Sequence, residues 1–501
     1  MAAFFIVVAS LAVVLLLHRW FKRPSVKHIK GPPSVSFWLG HEHVLRNQDN
    51  AGDLETTWRR KYGSLFRIGG CFGQNILVVC DPKALEHVFH PSHPYPKSKD
   101  AVFILGLFTG KGLGIVDSET HHRQRKILNP AFSPTQLRIS QVIFQQCSDK
   151  LVNSIKESLI HTDDTINIRD WTGKVTLDII GLASFRYDFG TLEGQKTELG
   201  QAMRHLFTAS QANPSALELI LVALIRMLPD SVLELLRLFP TREIRQLISV
   251  GNMAQKTARE VLASHNEVQT PEGSGDLLDI LARAHSAGKM QVDEIEAQLM
   301  TFIIAEHETS GTSLTWLLYE LAVHSEHQSI VRAELKQSNE HDSMPFLNAE
   351  SLRLHPVVHS LMRTAPRDDL LPLSGGKTFT IPKGQTLLCS AYLYNRLPSL
   401  WGDDAEEWNP ARFLDQTLPV SLGVYANLMS FSTGPRSCIG WRFAIMEMQT
   451  ILANLILHFE FSLADGCPEI LRFPGSPVVV PIVKGKAHLG SQLPLRVRAL
   501  L

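Results

Sequence analysis

The stretch Phe431-Ser432-Thr433-Gly434-Pro435-Arg436-Ser437-Cys438-Ile439-Gly440 holds a single cysteine between two glycines, with no second metal-ligating side chain nearby. A lone thiolate in such a loop suits a cofactor that brings its other ligands with it. Iron in a porphyrin meets that description, because the ring supplies the equatorial nitrogens and the protein need add only one axial donor. Gly434 and Gly440 let the backbone approach a flat macrocycle and turn sharply, and Arg436 offers a fixed charge to a propionate. The plain alternative is a buried structural cysteine beside a turn. The combination of Phe431, Gly434, Arg436, Cys438 and Gly440 at these spacings argues against it.

The chain around this loop has 501 residues, 44% of them apolar and 20% charged, enough for a large core and too apolar for extended disorder. Lys plus Arg and Asp plus Glu both number 49, so no global field points to nucleic acid, and none is expected as a partner. The six cysteines are scattered without C-x-x-C spacing, which indicates neither a zinc site nor a disulfide framework.

At the N-terminus, Ala2 to Leu17 is uncharged, and Arg19, Lys22, Arg23, Lys27 and Lys30 follow it without an acid. A cleaved signal peptide normally has its positive region first. Basic residues behind the apolar run instead predict an uncleaved anchor over residues 1–21 that leaves the following chain in the cytosol. An interfacial helix and a cleaved signal are the other readings. Gly31-Pro32-Pro33 stops any helix, so residues 22–34 read as a basic, proline-rich hinge and 35–501 as the catalytic body.

Within the body, Leu65 to Val79 alternates as a hairpin, and Asp81-Pro82 supplies an N-cap and first-turn proline for a helix. Leu217 to Ile225 is apolar nearly all round, which fits a core helix or one in contact with lipid. A long helical pattern runs from about Val292 to His324, and short strands follow between Leu371 and Leu393. The fold is therefore mainly α with minor β. Several motifs have ordinary explanations when taken alone. Glu308-Thr309 places an acid beside a hydroxyl, Glu350 and Arg353 stand three apart on one helix face, and His121 to Lys126 could be a solvated basic face.

Taken in order, these motifs resemble the cytochrome P-450 superfamily of haem-thiolate monooxygenases, whose ligand loop F-x-x-G-x-R-x-C-x-G matches Phe431 to Gly440. Ala305-Glu306-His307-Glu308-Thr309 resembles the oxygen-side helix, Glu350-Ser351-Leu352-Arg353 the E-x-x-R helix, and Asn409-Pro410-Ala411-Arg412-Phe413 the segment supplying a third charge to that pair. The resemblance implies the triangular fold of the family, with a long central helix over haem b and Cys438 as the axial iron ligand. It implies His121, Arg125, Arg363 and Arg436 as propionate partners, Phe431 and Gly440 in the cofactor loop, and Glu350, Arg353 and Arg412 as a structural triad. Glu308 and Thr309 would relay protons, and Phe103, Leu107, Ile304, Val357, Val358 and Leu361 would line the substrate pocket. Electrons would come from NADPH through a membrane-bound cytochrome reductase. The chain would sit on the endoplasmic-reticulum bilayer and insert one oxygen atom of dioxygen into an apolar small molecule.

Local motifs such as Met344 to Ala349 look fungal, which implies tailoring of terpenoids or other secondary metabolites. The sequence departs from the family pattern at Glu306, where glycine is usual, at Asn395, where histidine is often found, and in a shortened Asn339 to Ala349 segment. These departures keep two alternatives open: a reductase-independent haem-thiolate isomerase or dehydratase, and a degenerate, non-catalytic haem-binding membrane protein.

Overall fold

A computed structural model describes residues 26–161, 164–195, 215–228, 242–267, 275–337, 344–414, 422–474 and 478–500, with 198 and 233 singly. The expected hairpin forms as Leu65–Gly69 (β1) and Asn75–Val79 (β2), with Leu65 opposite Val79. Ser360–Thr364 (β3) and Thr386–Ser390 (β4) extend it into a sheet of order β1-β2-β4-β3, in which β4 runs parallel to β2 and antiparallel to β3. A parallel pair needs a long crossover, and here the crossover contains most of the helices.

The first helix behind the hairpin, Pro82–Phe89 (α1), is capped as its sequence indicates: the Asp81 carboxylate accepts from the backbone N–H groups of Lys83 and Ala84, and Pro82 opens the first turn. Lys99–Thr109 (α2), Ser118–Leu128 (α3), Pro134–His161 (α4) and Ile168–Phe185 (α5) follow. Ala216–Met227 (α6) starts in a capping box made by Ser215 and Glu218. It buries Leu219, Ala223, Ile225 and Met227 and leaves Leu217 exposed, so the apolar stretch is a half-covered helix.

Val292–Val323 (α7) matches the expected long helix to within a residue, and Met344–Leu354 (α8) and Trp441–His458 (α9) complete the frame. α7 is buried along most of its length and lies against α5 through a polar seam, where the Thr172 and Thr315 hydroxyls meet at 2.7 Å. α9 packs on α4, with the rings of Phe144 and Phe443 edge to face at 4.7 Å. One apolar core surrounds α7 and α9, and a second lies under the sheet. The Cys438 loop runs between them.

The expected N-terminal membrane helix at residues 1–21 falls outside the described residues. Among the described residues no helix is long and apolar enough to cross a membrane. The proposed hinge is partly anchored: Val26 and Ile29 are buried, and the Arg67 N–H donates to the Lys30 carbonyl at 2.9 Å. The chain thus joins the body ahead of residue 35. Part of the shortened approach to Glu350, residues 338–343, also lies outside the described residues.

Candidate active site

The loop that decides the sequence reading is held from both ends. Short 3-10 turns at Met429–Phe431 and Gly434–Arg436 reverse the chain, and the Cys438 N–H donates to the Phe431 carbonyl at 2.9 Å. Gly434 has φ +71°, and a Cβ there would stand 2.2 Å from the Phe89 carbonyl oxygen at the end of α1. Glycine is required at that position by fold alone. Gly440 is different, because its φ is −90° and an added Cβ would meet Phe132 at an ordinary 3.5 Å. The sharp-turn argument therefore holds for Gly434 and not for Gly440. Phe431 is half-buried and packs edge to face on Tyr425 at 6.1 Å.

Cys438 retains accessible surface although protein encloses it deeply. Burial pushes its thiol up to about 11; the Gly440 backbone and the Arg125 guanidinium pull the other way, and Glu306 adds to the rise. On α7 Ala305 is likewise exposed in the middle of a mostly buried helix. Because the charge of Glu306, next to Ala305, reaches Cys438, we read the two open surfaces as walls of one slot between the central helix and the ligand loop.

Basic side chains crowd the rim of this slot. Of the run His121 to Lys126, His121 and Arg125 point inward from α3, four residues apart on one face, whereas Arg123 turns away to pair with Glu294 at 2.5 Å. Arg125 donates to the Ser437 carbonyl at 2.7 Å, directly before Cys438. Arg363, buried in β3, donates to the Met362 carbonyl at 3.0 Å and lies 4.9 Å from the Phe89 ring centroid. Arg436 donates to the Val116 carbonyl at 2.9 Å and pairs with Asp117.

Lys97, which sequence reasoning missed, joins them through an isolated β-bridge to Arg363 and a bond from its ammonium to the Gly114 carbonyl. Burial, then Arg363 and Arg436, lower Lys97 to about 7; burial, then Arg436 and Arg125, lower His121 to about 4. Arg125, Arg363 and Arg436 are lowered too, burial being the largest cause for each. Among the described residues, Asp117 is the one carboxylate ion-paired to this set. Buried like charges of this kind suit a ligand that carries carboxylates, and the two propionates of haem fit.

The supporting charges behave in the opposite way. Glu350 and Arg353, both with fully buried side chains, meet through two bonds of 2.7 and 2.8 Å, and Arg412 donates to Glu350 at 3.2 Å and to Asp404 at 2.9 Å. The remaining Arg353 protons go to the carbonyls of Asn395, Ala405 and Glu407. Asn395 then links α8 to the ligand loop, donating to Ser430 at 2.9 Å and accepting from the Met429 N–H at 3.0 Å. α8 is described from Met344 onward, and the triad closes without a gap.

The acid and hydroxyl on α7 are not brought together. The Thr309 hydroxyl donates back to the Ala305 carbonyl at 2.7 Å, while Glu308 is buried and ion-paired at 2.8 Å with Arg169 of α5. Of the expected pocket residues, Phe103 and Leu107 of α2 pack with α6, and Leu107 also joins the core around α7 that holds Ile304 and Val357; Leu361 packs on the sheet-side core, and Val358 is half-buried.

Residues 30–488 match the family model described as Cytochrome P450. Similar curated proteins include cytochrome P450 monooxygenase 205 of Postia placenta, 31% identical with 94% of this chain and 93% of the relative covered. Cytochrome P450 monooxygenase claW of Ampulloclitocybe clavipes is 30% identical, with 98% and 95% covered. A ganoderic acid synthetase of Ganoderma lucidum is also 30% identical, with 90% of each chain covered.

Proposed function

The chain belongs to the cytochrome P450 family of monooxygenases, and we propose that it hydroxylates an apolar small molecule, a terpenoid or related secondary metabolite of a fungus. The observation that carries the proposal is the slot bounded by Cys438 and Ala305 and rimmed by Lys97, His121, Arg125, Arg363 and Arg436. When bound there, haem b supplies dioxygen activation at iron, fed by electrons from NADPH through a reductase.

The protein's own residues do the rest. Cys438 would hold the iron through its thiolate, helped by the Gly440 backbone and Arg125, which both favour the ionised sulfur. The basic rim orients the propionates, and Phe431 shields the sulfur side. Thr309 and Glu308 would be the hydroxyl and the acid that the central helix offers, Glu308 once it is released from Arg169. Phe103, Leu107, Ile304, Val357, Val358 and Leu361 exclude water from the substrate.

The terpenoid assignment draws on the similarity to a ganoderic acid synthetase. A lipid surface as the substrate's source is supported by Val35, Phe37, Trp38 and Leu217, exposed apolar side chains around the contact between Phe72 and Leu219. This patch, with the anchor expected at residues 1–21, would seat the protein on the endoplasmic-reticulum membrane. The test is a reduced, carbon-monoxide-bound spectrum followed by turnover of a terpenoid panel with NADPH and reductase. A thiolate-type Soret band with NADPH-dependent hydroxylation is expected. Failure to take up haem would overturn the whole reading, and turnover without NADPH would replace hydroxylation by isomerisation or dehydration.

A further inference from the structure

α8 ends at Leu354, and Pro356 follows two residues later. Proline has no N–H to carry a helix on and its ring clashes with the preceding turn, so contacts of the neighbouring side chains must set the direction in which the chain leaves. His355 to His359 then lead straight into β3, whose Arg363 stands on the rim of the slot. Val357 and Val358, two of the pocket candidates, lie in this short connection.

His355 is gripped by Trp316 and Glu320, which stand one turn apart on one face of α7. Its ring lies flat on Trp316, with centroids 4.4 Å apart and planes 2° from parallel, and its Nε2 donates to the Glu320 carboxylate at 2.5 Å. All three side chains are buried. The Trp316 indole N–H also donates to the Val479 carbonyl, at a long 3.5 Å, and the Val479 N–H donates to the Val357 carbonyl at 2.8 Å. Val357 is therefore tied to α7 twice, through His355 just before it in the chain and through Val479 beside it. A small cavity adjoins this clamp, lined by Trp316, His355, Pro356, His359, Tyr392 and Arg472. Close packing normally fixes a buried segment; next to a cavity the clamp must do so.

We propose that His355 is a positioning residue that sets substrate specificity: held between Trp316 and Glu320, it fixes Val357 and Val358 as a wall of the space the substrate enters. With the clamp released, the connection relaxes into the cavity, the wall recedes, and bulky molecules gain over small ones. This rests on the haem reading and on the pocket candidates above.

The test uses the haem-loaded full chain and two nitrogen ligands of iron, imidazole and phenylimidazole, titrated by the shift of the Soret band. Imidazole reports access to the iron, and the phenyl ring reports the room beside it. His355→Phe keeps a ring on Trp316 and loses Glu320; His355→Gln keeps a donor for Glu320 and loses the stack. In both, phenylimidazole should gain at least ~10-fold over imidazole, since a displacement of about 1 Å is worth up to about 100-fold in a fitted site. Imidazole affinity and the reduced, carbon-monoxide-bound band should stay as in wild type. Trp316→Phe, which frees Val479 but keeps a ring under His355, should move the ratio the same way by less. An unchanged ratio in both His355 variants overturns the proposal. Parallel loss of both ligands together with haem also overturns it, because His355 would then support the fold without selecting ligands. Val357→Ala moves the wall directly and must raise the ratio even if the His355 variants do not fold; no change there removes Val357 from the wall and the proposal with it. Absence of the carbon-monoxide band in wild type defeats the haem reading instead.

Discussion

Two buried groups of basic residues flank the Cys438 loop, and they differ in what answers their charge. Around α8, Arg353 and Arg412 are matched by Glu350 and Asp404, and the bonds left over go to carbonyl oxygens. Around the slot, Lys97, His121, Arg125, Arg363 and Arg436 are answered by Asp117 alone among the described residues, and each is shifted toward its neutral form. A neutralised buried set fixes the fold. A buried set of one sign has charge left over, which is what an anion-binding site offers.

The strongest way to break this contrast is to remove the shared acid of the first group. Glu350→Gln leaves the buried Arg353 without its counter-charge, while Arg412 keeps Asp404, and should cost about 3–5 kcal/mol, since losing one member of a buried pair costs more than the pair contributes. Denaturant unfolding of the apoprotein would measure it. In the second group the sign reverses. Arg363→Met relieves repulsion with Arg436 and Lys97, so the apoprotein should be at least as stable as wild type. Haem retention should weaken by about 1.5–3 kcal/mol, the scale of a hydrogen bond to a charged group. Equal destabilisation of the apoprotein by both variants would erase the distinction.

The sequence exposes the first group far better than the second. Glu350 and Arg353 are three residues apart on one helix and Arg412 sits in a segment resembling the family's, so the resemblance, not the spacing alone, implies the triad. Lys97 belongs to no motif. It reaches the slot because a single β-bridge sets it beside Arg363, a partner distant in the chain. Glu308 shows the same limit, since Arg169 lies on another helix and nothing in the spacing of either residue indicates that they meet. The long helix was legible almost to the residue because burial on all sides leaves a strong apolar record over many turns. How the pocket candidates are shared among the cores was not, since it depends on how α2, α6 and β3 approach α7.

Lys97 sharpens the contrast through pH. Its folded value of about 7 lies below its ordinary value near 10.5, so between those limits the unfolded chain binds more protons than the folded apoprotein. Stability must therefore rise as pH increases through that window, and below about 7 the full cost of burying the charged ammonium is present. His121 acts in the same direction lower down: its stability contribution is intact above its ordinary value and is lost as pH falls toward about 4. Lys97→Met should flatten the upper slope in apoprotein unfolding measured across pH. Haem should flatten it as well, because propionates keep Lys97 charged in the folded state.

The smallest effect on stability is expected at Gly440. Its backbone angle suits any residue and an added methyl group would contact Phe132 at 3.5 Å, so Gly440→Ala should change apoprotein stability by less than about 1 kcal/mol, the size of an N-cap preference. Gly434→Ala, by contrast, forces a Cβ to within 2.2 Å of a carbonyl oxygen at φ +71° and should disrupt the loop whether or not haem is present. If Gly440→Ala leaves unfolding unchanged but broadens or shifts the reduced, carbon-monoxide-bound band, that glycine is present for the cofactor and the thiolate, whose sulfur its backbone assists. An unchanged band in Gly440→Ala would mean that the sulfur's surroundings depend on the backbone N–H alone, which alanine also provides.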